Sequence, residues 1–225
     1  ANGHVQAIGR DARGRKQYRY HARVRDVRES TKYQHMLAFA DSLPAIRAKV
    51  RQHLALKRLS REKVLATVVH LLESTLIRVG SDEYARTNNS YGLTTLKNRH
   101  VDVEGAALKF HFKGKSGKTW RLDVHDRRIA KVIRACQDLP GQDLFQYVDG
   151  DGEVHQVSST DVNDYLREIA QRDITAKDFR TWHGTVLAAM ALAEFQRFDS
   201  RASAKRNIRD AIQKVAARLG NTPTI

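Results

Sequence analysis

Residues 100–124 read HVDVEGAALKFHFKGKSGKTWRLDV, a stretch in which apolar and polar side chains alternate three times over. Alternation with a period of two is typical of strands that are buried on one face. It covers residues 100–104, 108–113 and 119–124, with Gly105 in the first turn and residues 114–118 in the second. The pattern therefore predicts a three-stranded antiparallel meander.

The second of these turns, GKSGKT at 114–119, is similar to a nucleotide-binding loop but departs from it at one required position. A phosphate-binding loop needs a glycine five residues before its Gly-Lys pair. The two Gly-Lys pairs here, at 117–118 and 114–115, have Phe112 and Lys109 at that position. The setting is also strand–turn–strand, whereas such a loop joins a strand to a helix. We interpret the segment as a hairpin tip with projecting lysines, either a solvated turn or a lysine held in a DNA groove.

Helical patterns flank the predicted sheet on both sides. Downstream they cover residues 126–139, 158–171, 176–195 and 200–219, with a short extended piece at 144–148. Upstream, Ser60 is placed to cap a helix over residues 61–77, and another helix over 26–54 is predicted to break near Pro44. The fold class that follows is α+β: a mostly helical domain with an inserted three-stranded antiparallel sheet, preceded by a basic β-hairpin.

The basic hairpin is predicted from alternation at residues 4–9 and 15–21, around a turn at Gly14. Alternation places Gln17 on one face and Lys16, Tyr18 and Tyr20 on the other. The chain carries a net charge of +15, and residues 1–63 alone hold 16 Lys and Arg against 5 Asp and Glu, a net +11. Such a surface suits duplex DNA, since cations neutralise phosphates, glutamine can read adenine and tyrosine can bond phosphate. The alternatives are a solvated basic edge strand and, less suited to a hairpin, a membrane surface.

Several other classes of function lack their sequence signals. No apolar run is long enough to span a membrane, and the ten histidines show no metal-ligand spacing. The single cysteine, Cys136, rules out an internal disulfide, and the chain starts without a signal-peptide pattern. These observations favour a cytoplasmic protein without a metal site, and we also expect a monomer that is associated with the nucleoid and needs no other cofactor.

Three basic residues occur in distinctive sequence contexts: Arg78 in LIRVG, Lys115 in FKGKSGK and Arg180 in KDFRTW. Together with their surroundings they resemble the type IB DNA topoisomerases, of the compact bacterial and poxvirus-like kind. The matching stretches occur in family order along nearly the whole chain: GRDARGRKQYRYH at 9–21, LIRVGSDEYARTNNSYGLTTLKNRH at 76–100, FHFKGKSGK at 110–118, KDFRTW at 177–182 and GNTPTI at 220–225.

The resemblance implies a specific chemistry. A tyrosine attacks a backbone phosphate and forms a 3′-phosphotyrosyl link, the nicked duplex swivels, and the 5′-hydroxyl attacks back, without ATP or metal. Arg78 and Arg180 match the family's catalytic arginines, Lys115 its general acid, and Asn221 a position that is histidine in many members. Family DNA contacts are matched by Lys177 and, in the hairpin, by Lys16, Gln17, Tyr18 and Tyr20.

Two departures from the family pattern stand out. The nucleophilic tyrosine follows the Asn-Thr-Pro motif in the family, and none of the seven tyrosines here does: Tyr18, Tyr20, Tyr33, Tyr84, Tyr91, Tyr147 and Tyr165. Residues 1–24 resemble only the end of the N-terminal DNA-clamp domain, and residues 25–225 a C-terminally truncated catalytic domain. We expect a fragment that binds DNA but does not cleave it.

Two other interpretations remain at this point. A tyrosine recombinase uses the same arginine, lysine and tyrosine chemistry, but it usually carries a histidine three residues before the second arginine, where this chain has Lys177. The remaining alternative is a DNA-binding module without catalytic activity.

Overall fold

The computed structural model describes residues 4–10, 12, 16–194 and 200–222, with the backbone alone at residues 16, 23–30 and 201. The turn predicted at Gly14 and the side chain of Lys16 lie outside what is described, as does the predicted end of a helix at residue 195. The chain divides into two compact units, Ala1–Asp41 and Ser42–Ile225. Within the described ranges, no helix combines the length and apolar character that crossing a bilayer requires.

The first unit contains the predicted basic hairpin. Strands β1 (Val5–Arg10) and β2 (Lys16–Tyr20) pair antiparallel, with Ile8 opposite Tyr18 and Gly9 opposite Gln17. The pairing register shifts between Val5 and Ala7, as at a β-bulge. The prediction of a hairpin preceding the helical domain is confirmed.

Helix α1 (Ala22–Leu54) is continuous, so the predicted break near Pro44 is wrong. Proline removes one backbone hydrogen bond from a helix and crowds the preceding turn, at a cost of about 3 kcal/mol. Burial on the C-terminal side offsets that cost, because Ile46, Val50 and Leu54 are all buried. Packing therefore overrides the local signal of the proline.

The core of the second unit is built around helix α2 (Arg61–Thr75), which packs against three later helices, Arg127–Gln137, Ser159–Ala170 and Ala176–Ala193, and the strand Gln146–Val148. Its residues 64–69, 71 and 72 are buried, so the helix is enclosed on nearly every face. It ends at Leu76, which adopts the left-handed conformation with φ 60° and donates its N–H to the Leu72 carbonyl. Its N-terminal boundary agrees with the prediction, and its C-terminal end comes two residues earlier.

The predicted meander is present as strands β3 (Val101–Glu104), β4 (Ala107–Lys113) and β5 (Thr119–His125), in that spatial order. Leu108, Phe110 and Phe112 on the central strand point into the core, while Lys109, His111 and Lys113 are exposed. This is the alternation read from the sequence, and GKSGKT joins two strands as expected.

The remaining elements complete the helical domain. They are α3 (Asp82–Asn88), α4 (Arg127–Gln137), β6 (Gln146–Val148), β7 (Val154–Gln156), α5 (Ser159–Ala170), α6 (Ala176–Ala193) and α7 (Arg201–Leu219). Helix α3 and the pairing of β6 with β7 were not predicted. Both are short, and elements of three to seven residues leave too few repeats for periodicity to reveal them. The predicted α+β class, mostly helical with an inserted sheet, is confirmed.

Candidate functional site

Arg180 is held where the C-terminal ends of two helices meet. It lies near the start of α6, which a reciprocal capping box between Thr175 and Asp178 begins. The Arg180 guanidinium donates from Nη1 to the carbonyl of Leu76 and from Nη2 to the carbonyl of Leu219 at 2.7 Å. Leu76 is the C-cap of α2, and Leu219 is the last residue of α7. The C-terminus of a helix carries the negative end of the helix dipole. Both contacts therefore stabilise a buried cation.

Arg78 lies two residues beyond the cap of α2, on a segment that a second loop clamps. The Arg78 carbonyl accepts from the Leu93 N–H at 2.9 Å, and the following carbonyl accepts from the next amide at 2.7 Å. A Cβ atom on Gly92 would stand 2.5 Å from the Arg78 carbonyl oxygen and 2.6 Å from the backbone of Gly80. Only glycine permits this approach, so residue 92 determines where the backbone of Arg78 lies.

Asn221 joins the two arginines. Its Oδ1 accepts from Arg78 Nη2 at 2.8 Å and from Arg180 Nη2 at 3.1 Å. Guanidiniums only donate hydrogen bonds, so the oxygen of the carboxamide must face them and Nδ2 must face away. The backbone places this side chain: Gly220 is left-handed at φ 63°, and the Asn221 N–H donates to the Ala216 carbonyl at 2.8 Å.

The charge of this cluster, defined as Arg78, Arg180 and Asn221, is uncompensated by carboxylates. No ion pair that the structure gives for its described residues includes either arginine. Arg180 is only 9% exposed. Burial, and secondarily the charge of Arg78, lower the pKa of Arg180 to about 10, and burial also lowers the pKa of Arg78. Both remain cationic at neutral pH, so the cluster is a preformed site for an anion.

Lys115 lies on the exposed turn between β4 and β5, at the start of a single 3-10 turn, Lys115–Gly117. Ser116 within it is left-handed at φ 61°, and the turn is closed by the Gly114 N–H donating to the Lys118 carbonyl at 2.7 Å. The Tyr91 N–H donates to the Lys113 carbonyl at 2.8 Å, just below this turn. Because residue 93 binds the Arg78 carbonyl, the segment 91–93 ties the lysine hairpin to the arginine segment.

The predicted DNA-contacting residues lie in different parts of the chain. Lys177 is exposed on the first turn of α6, three residues before Arg180. In the hairpin, Gln17 is exposed and Tyr18 is 48% exposed. The rings of Tyr18 and Tyr20 stack with centroids 6.3 Å apart, which agrees with their predicted placement on one face.

Three of the four tyrosines of the second unit pack against a histidine ring. Tyr165 is buried, its hydroxyl shares a hydrogen bond with His53 Nδ1 at 2.9 Å, and burial raises its pKa, which suits a core residue better than a nucleophile. The ring of Tyr91 packs on His100 and that of Tyr147 on His155. Tyr84 is exposed on α3. The hydrogen bonds that join the cluster involve no tyrosine.

Sequence reasoning identified the charged residues and missed the residues that hold them. Gly80 and Gly92 lie within the matched stretch 76–100. Their close approach was not predicted, although both glycines are present in the sequence. The ends of the two helices that bind Arg180 were predicted, at residues 77 and 219, but their meeting at this side chain was not. Among the described residues there is also no group of three His, Cys, Asp or Glu placed to hold a metal ion.

Comparison with known proteins shows which protein family the chain resembles. Residues 21–225 match the family model of the catalytic core of eukaryotic DNA topoisomerase I. A DNA topoisomerase 1B of Acanthamoeba polyphaga mimivirus is 30% identical over 231 residues, which cover 100% of this chain and 69% of the viral protein. A DNA topoisomerase 1B of vaccinia virus (strain Copenhagen) is 23% identical over 222 residues, covering 97% of this chain and 67% of that protein.

The solved structures that resemble this chain include the XerH site-specific recombinase bound to its difH substrate in a pre-cleavage complex. That comparison has a TM-score of 0.46 at 12% identity, and it covers 82% of this chain and 47% of the recombinase chain. The curated relatives named above are viral, so they give no support to the bacterial kind named in the sequence analysis.

Proposed function

The chain belongs to the type IB DNA topoisomerases, and we propose that Arg78, Arg180, Lys115 and Asn221 form its phosphate-cleaving site. The observation that carries this assignment is the sharing of one amide oxygen by two guanidiniums, one half-buried and one buried, neither of which pairs with a carboxylate among the described residues. The arrangement presents two cationic forks with unused donors, which is the complement of a phosphate and, more strongly, of a pentacovalent phosphorane.

In the proposed reaction each residue has one role. A tyrosine hydroxyl attacks the phosphorus and releases its proton to water, the bond to the 5′ oxygen breaks, and a 3′-phosphotyrosine forms. Arg78 and Arg180 bind the non-bridging oxygens, whose negative charge grows in the transition state. Lys115 gives its proton to the departing 5′ oxygen and takes it back on religation. Nδ2 of Asn221 donates to a phosphate oxygen, while Oδ1 keeps the two guanidiniums in register.

The rigidity of the site supports this assignment of roles. The carbonyls of Leu76 and Leu219 orient Arg180, and the clamp formed by Gly92 orients the backbone of Arg78. Donors that are already in place cost no reorganisation during the reaction, and that is the main advantage of such a site over water. We also propose one chain per cleavage site, because a single chain joins all members of the cluster.

The mutational test uses single-turnover cleavage of a suicide duplex by the natural full-length enzyme. We expect Arg78→Ala, Arg180→Ala and Lys115→Ala each to lower the rate by about 100-fold or more, with duplex binding changed by only a few-fold. Lys118→Ala is the matched control, since Lys118 is exposed on the same turn and has no assigned role.

The role of Lys115 has its own substrate test. A 5′-bridging phosphorothiolate departs as a thiolate that needs no proton, so it should restore much of the Lys115→Ala rate and little of the Arg180→Ala rate. Equal defects of Lys115→Ala on both substrates, or an equal loss in Lys118→Ala, would contradict the assignment.

We propose that the hairpin of the first unit, with Lys177, binds duplex DNA, and that none of the seven tyrosines is the nucleophile. If about six phosphates are contacted, the logarithm of affinity should fall against the logarithm of salt with a slope of roughly −5. Gln17→Ala should change the profile of preferred sites. The 225-residue chain should bind a suicide duplex, but a denaturing gel should show no covalent adduct. An adduct mapped to any of its tyrosines would refute the proposal that none of them is the nucleophile.

A further inference from the structure

Trp120 lies between the turn that carries Lys115 and the residue that precedes Asn221. It is on β5, opposite Phe112, and the two rings stack with centroids 6.1 Å apart and planes inclined by 2°. Phe112 is buried, whereas Trp120 is partly exposed. The stack therefore fixes the plane of the indole and leaves one edge of the ring system available to other segments.

Two glycine backbones lie against the indole. An ideal Cβ on Gly114 would lie 2.7 Å from Trp120 Nε1, and an ideal Cβ on Gly220 would lie 2.6 Å from Trp120 Cζ2. Real Cβ atoms do not approach other atoms so closely, so both backbones press on the indole without room for a methyl group. Nε1 and Cζ2 are both bonded to Cε2, so the two contacted atoms are separated by a single atom of the ring system. The indole therefore reaches from the lysine turn to the C-terminal cap of α7.

The two glycines that contact the indole each precede a different residue of the proposed site. Gly114 directly precedes Lys115, and Gly220 directly precedes Asn221. At the base of the hairpin the Tyr91 N–H donates to the Lys113 carbonyl, whereas the bond from the Gly114 N–H to the Lys118 carbonyl closes the turn itself. A flat, rigid side chain is suited to hold two backbones at a set spacing, because it has only two rotatable bonds and here one face is already stacked.

We propose that Trp120 is a positioning residue that sets the Lys115 turn relative to the Asn221–arginine cluster, so that both act on one phosphate. The inference rests on the function proposed above for Lys115. A displacement of about 1 Å between groups that must act together can cost about 100-fold in rate. Loss of the indole should thus impair proton donation by Lys115 more than binding of the duplex.

The first experiment compares two leaving groups in the natural full-length enzyme. Trp120→Ala should cleave an ordinary suicide duplex about 10- to 100-fold more slowly than the wild type. On the 5′-bridging phosphorothiolate the deficit should shrink to about 3-fold or less, because that substrate needs no general acid. In a Lys115→Ala background, Trp120→Ala should likewise add about 3-fold or less, since the two changes remove the same contribution.

A matched control separates positioning from general loss of stability. Leu108→Val removes packing from the same sheet at the opposite end of β4, four residues before Phe112 and thus about 13 Å along the strand. It should lower the melting temperature without a preference for either leaving group. Deficits of Trp120→Ala that are equal on both substrates, or that multiply with those of Lys115→Ala, would overturn the proposal.

The design distinguishes failure of this inference from failure of the proposed function. If Lys115→Ala is rescued by the phosphorothiolate and Trp120→Ala is not, Lys115 is the general acid and Trp120 does not position it. If Lys115→Ala itself is not rescued, the assignment of Lys115 fails first, and with it the positioning role.

A second variant and a second measurement cover the case in which Trp120→Ala does not fold. Trp120→Phe keeps a ring for stacking on Phe112 but lacks the atoms that contact Gly220, so it should show the same selective deficit at smaller size. Amide hydrogen exchange at Gly114 and Asn221 should accelerate together in either folded variant and not in Leu108→Val. A wild-type cleavage rate in Trp120→Phe, or exchange that accelerates at only one of the two sites, would overturn the proposal.

Discussion

Asn221→Asp is expected to stabilise the protein and to inactivate it. The substitution changes one NH₂ group into an oxygen and leaves the shape of the side chain intact. Oδ1 of Asn221 accepts from Arg78 at 2.8 Å and from Arg180 at 3.1 Å, so the new carboxylate meets two guanidiniums without any rearrangement. Each hydrogen bond then has two charged partners, which adds about 1 kcal/mol per bond before desolvation is subtracted.

The net gain in the free energy of unfolding should be about 1–2 kcal/mol, because the site is half-buried and part of the Coulomb term is lost to desolvation. In a domain of this size that corresponds to a rise in the melting temperature of about 2–8 °C. The pKa of the new carboxyl should lie below its ordinary value beside two cations. The gain is therefore present at neutral pH and lost as the pH falls below about 4.

Cleavage should change in the opposite direction. The carboxylate neutralises the two guanidiniums that are proposed to bind the phosphate, and it repels the negative charge that grows on the non-bridging oxygens. We expect the single-turnover rate to fall by about 100-fold or more. Asn221→Ala is the control: it should lower stability by about 0.5–1.5 kcal/mol and should cleave faster than the Asp variant.

The assay is thermal unfolding at pH 7 and at pH 3.5, followed by circular dichroism, together with cleavage of a suicide duplex. A destabilised Asn221→Asp at pH 7 would show that the guanidiniums do not share this side chain. A cleavage rate within about 3-fold of wild type would refute the idea that the cluster binds the phosphate.

Three further predictions concern the two arginines, Gly92 and His100. Arg180→Ala should lower the free energy of unfolding by about 2–4 kcal/mol, because two buried helix-end carbonyls lose their donor, whereas Arg78→Ala should cost less than about 1 kcal/mol; equal costs in urea unfolding would contradict this account. Gly92→Ala should destabilise by about 1–3 kcal/mol and slow cleavage, while Gly150→Ala, with open space around its Cβ, should be neutral in both assays. Burial lowers the pKa of His100 to about 4, so stability should fall as the pH drops from about 6.5 to about 4, where only the unfolded chain takes up the proton; replacing His100 with Gln should reduce this loss by on the order of 1 kcal/mol in melts at pH 7 and pH 4.5.

Local patterning was sufficient to predict the elements that carry the site. The strands of the meander follow from alternation within residues 100–124, and the turn at 114–118 follows from its glycines. Helices α4 and α5 begin where capping side chains occur, with Asp126 accepting from the amides of residues 128 and 129 and Ser158 from that of residue 161. These features depend on neighbours two to four residues apart, and such neighbours are visible in a linear sequence.

The same local reasoning failed where packing outweighs propensity. Pro44 lies inside a continuous 33-residue helix because the buried face beyond it stabilises the helical path. The pairing of β6 with β7 depends on a three-residue match across a turn, and so short a match has no periodic signature.

Motif resemblance named Arg78, Arg180 and Asn221, but only the tertiary structure shows how they act together. Asn221 follows Arg78 by 143 residues and reaches it because α2 and α7 end at the same place. The positions of helix ends relative to each other depend on how whole helices pack, which no local pattern encodes. The backbone contacts of the glycines at 92 and 220 are equally invisible in sequence, because what excludes a side chain there is an atom from another segment of the chain, 12 or more residues away.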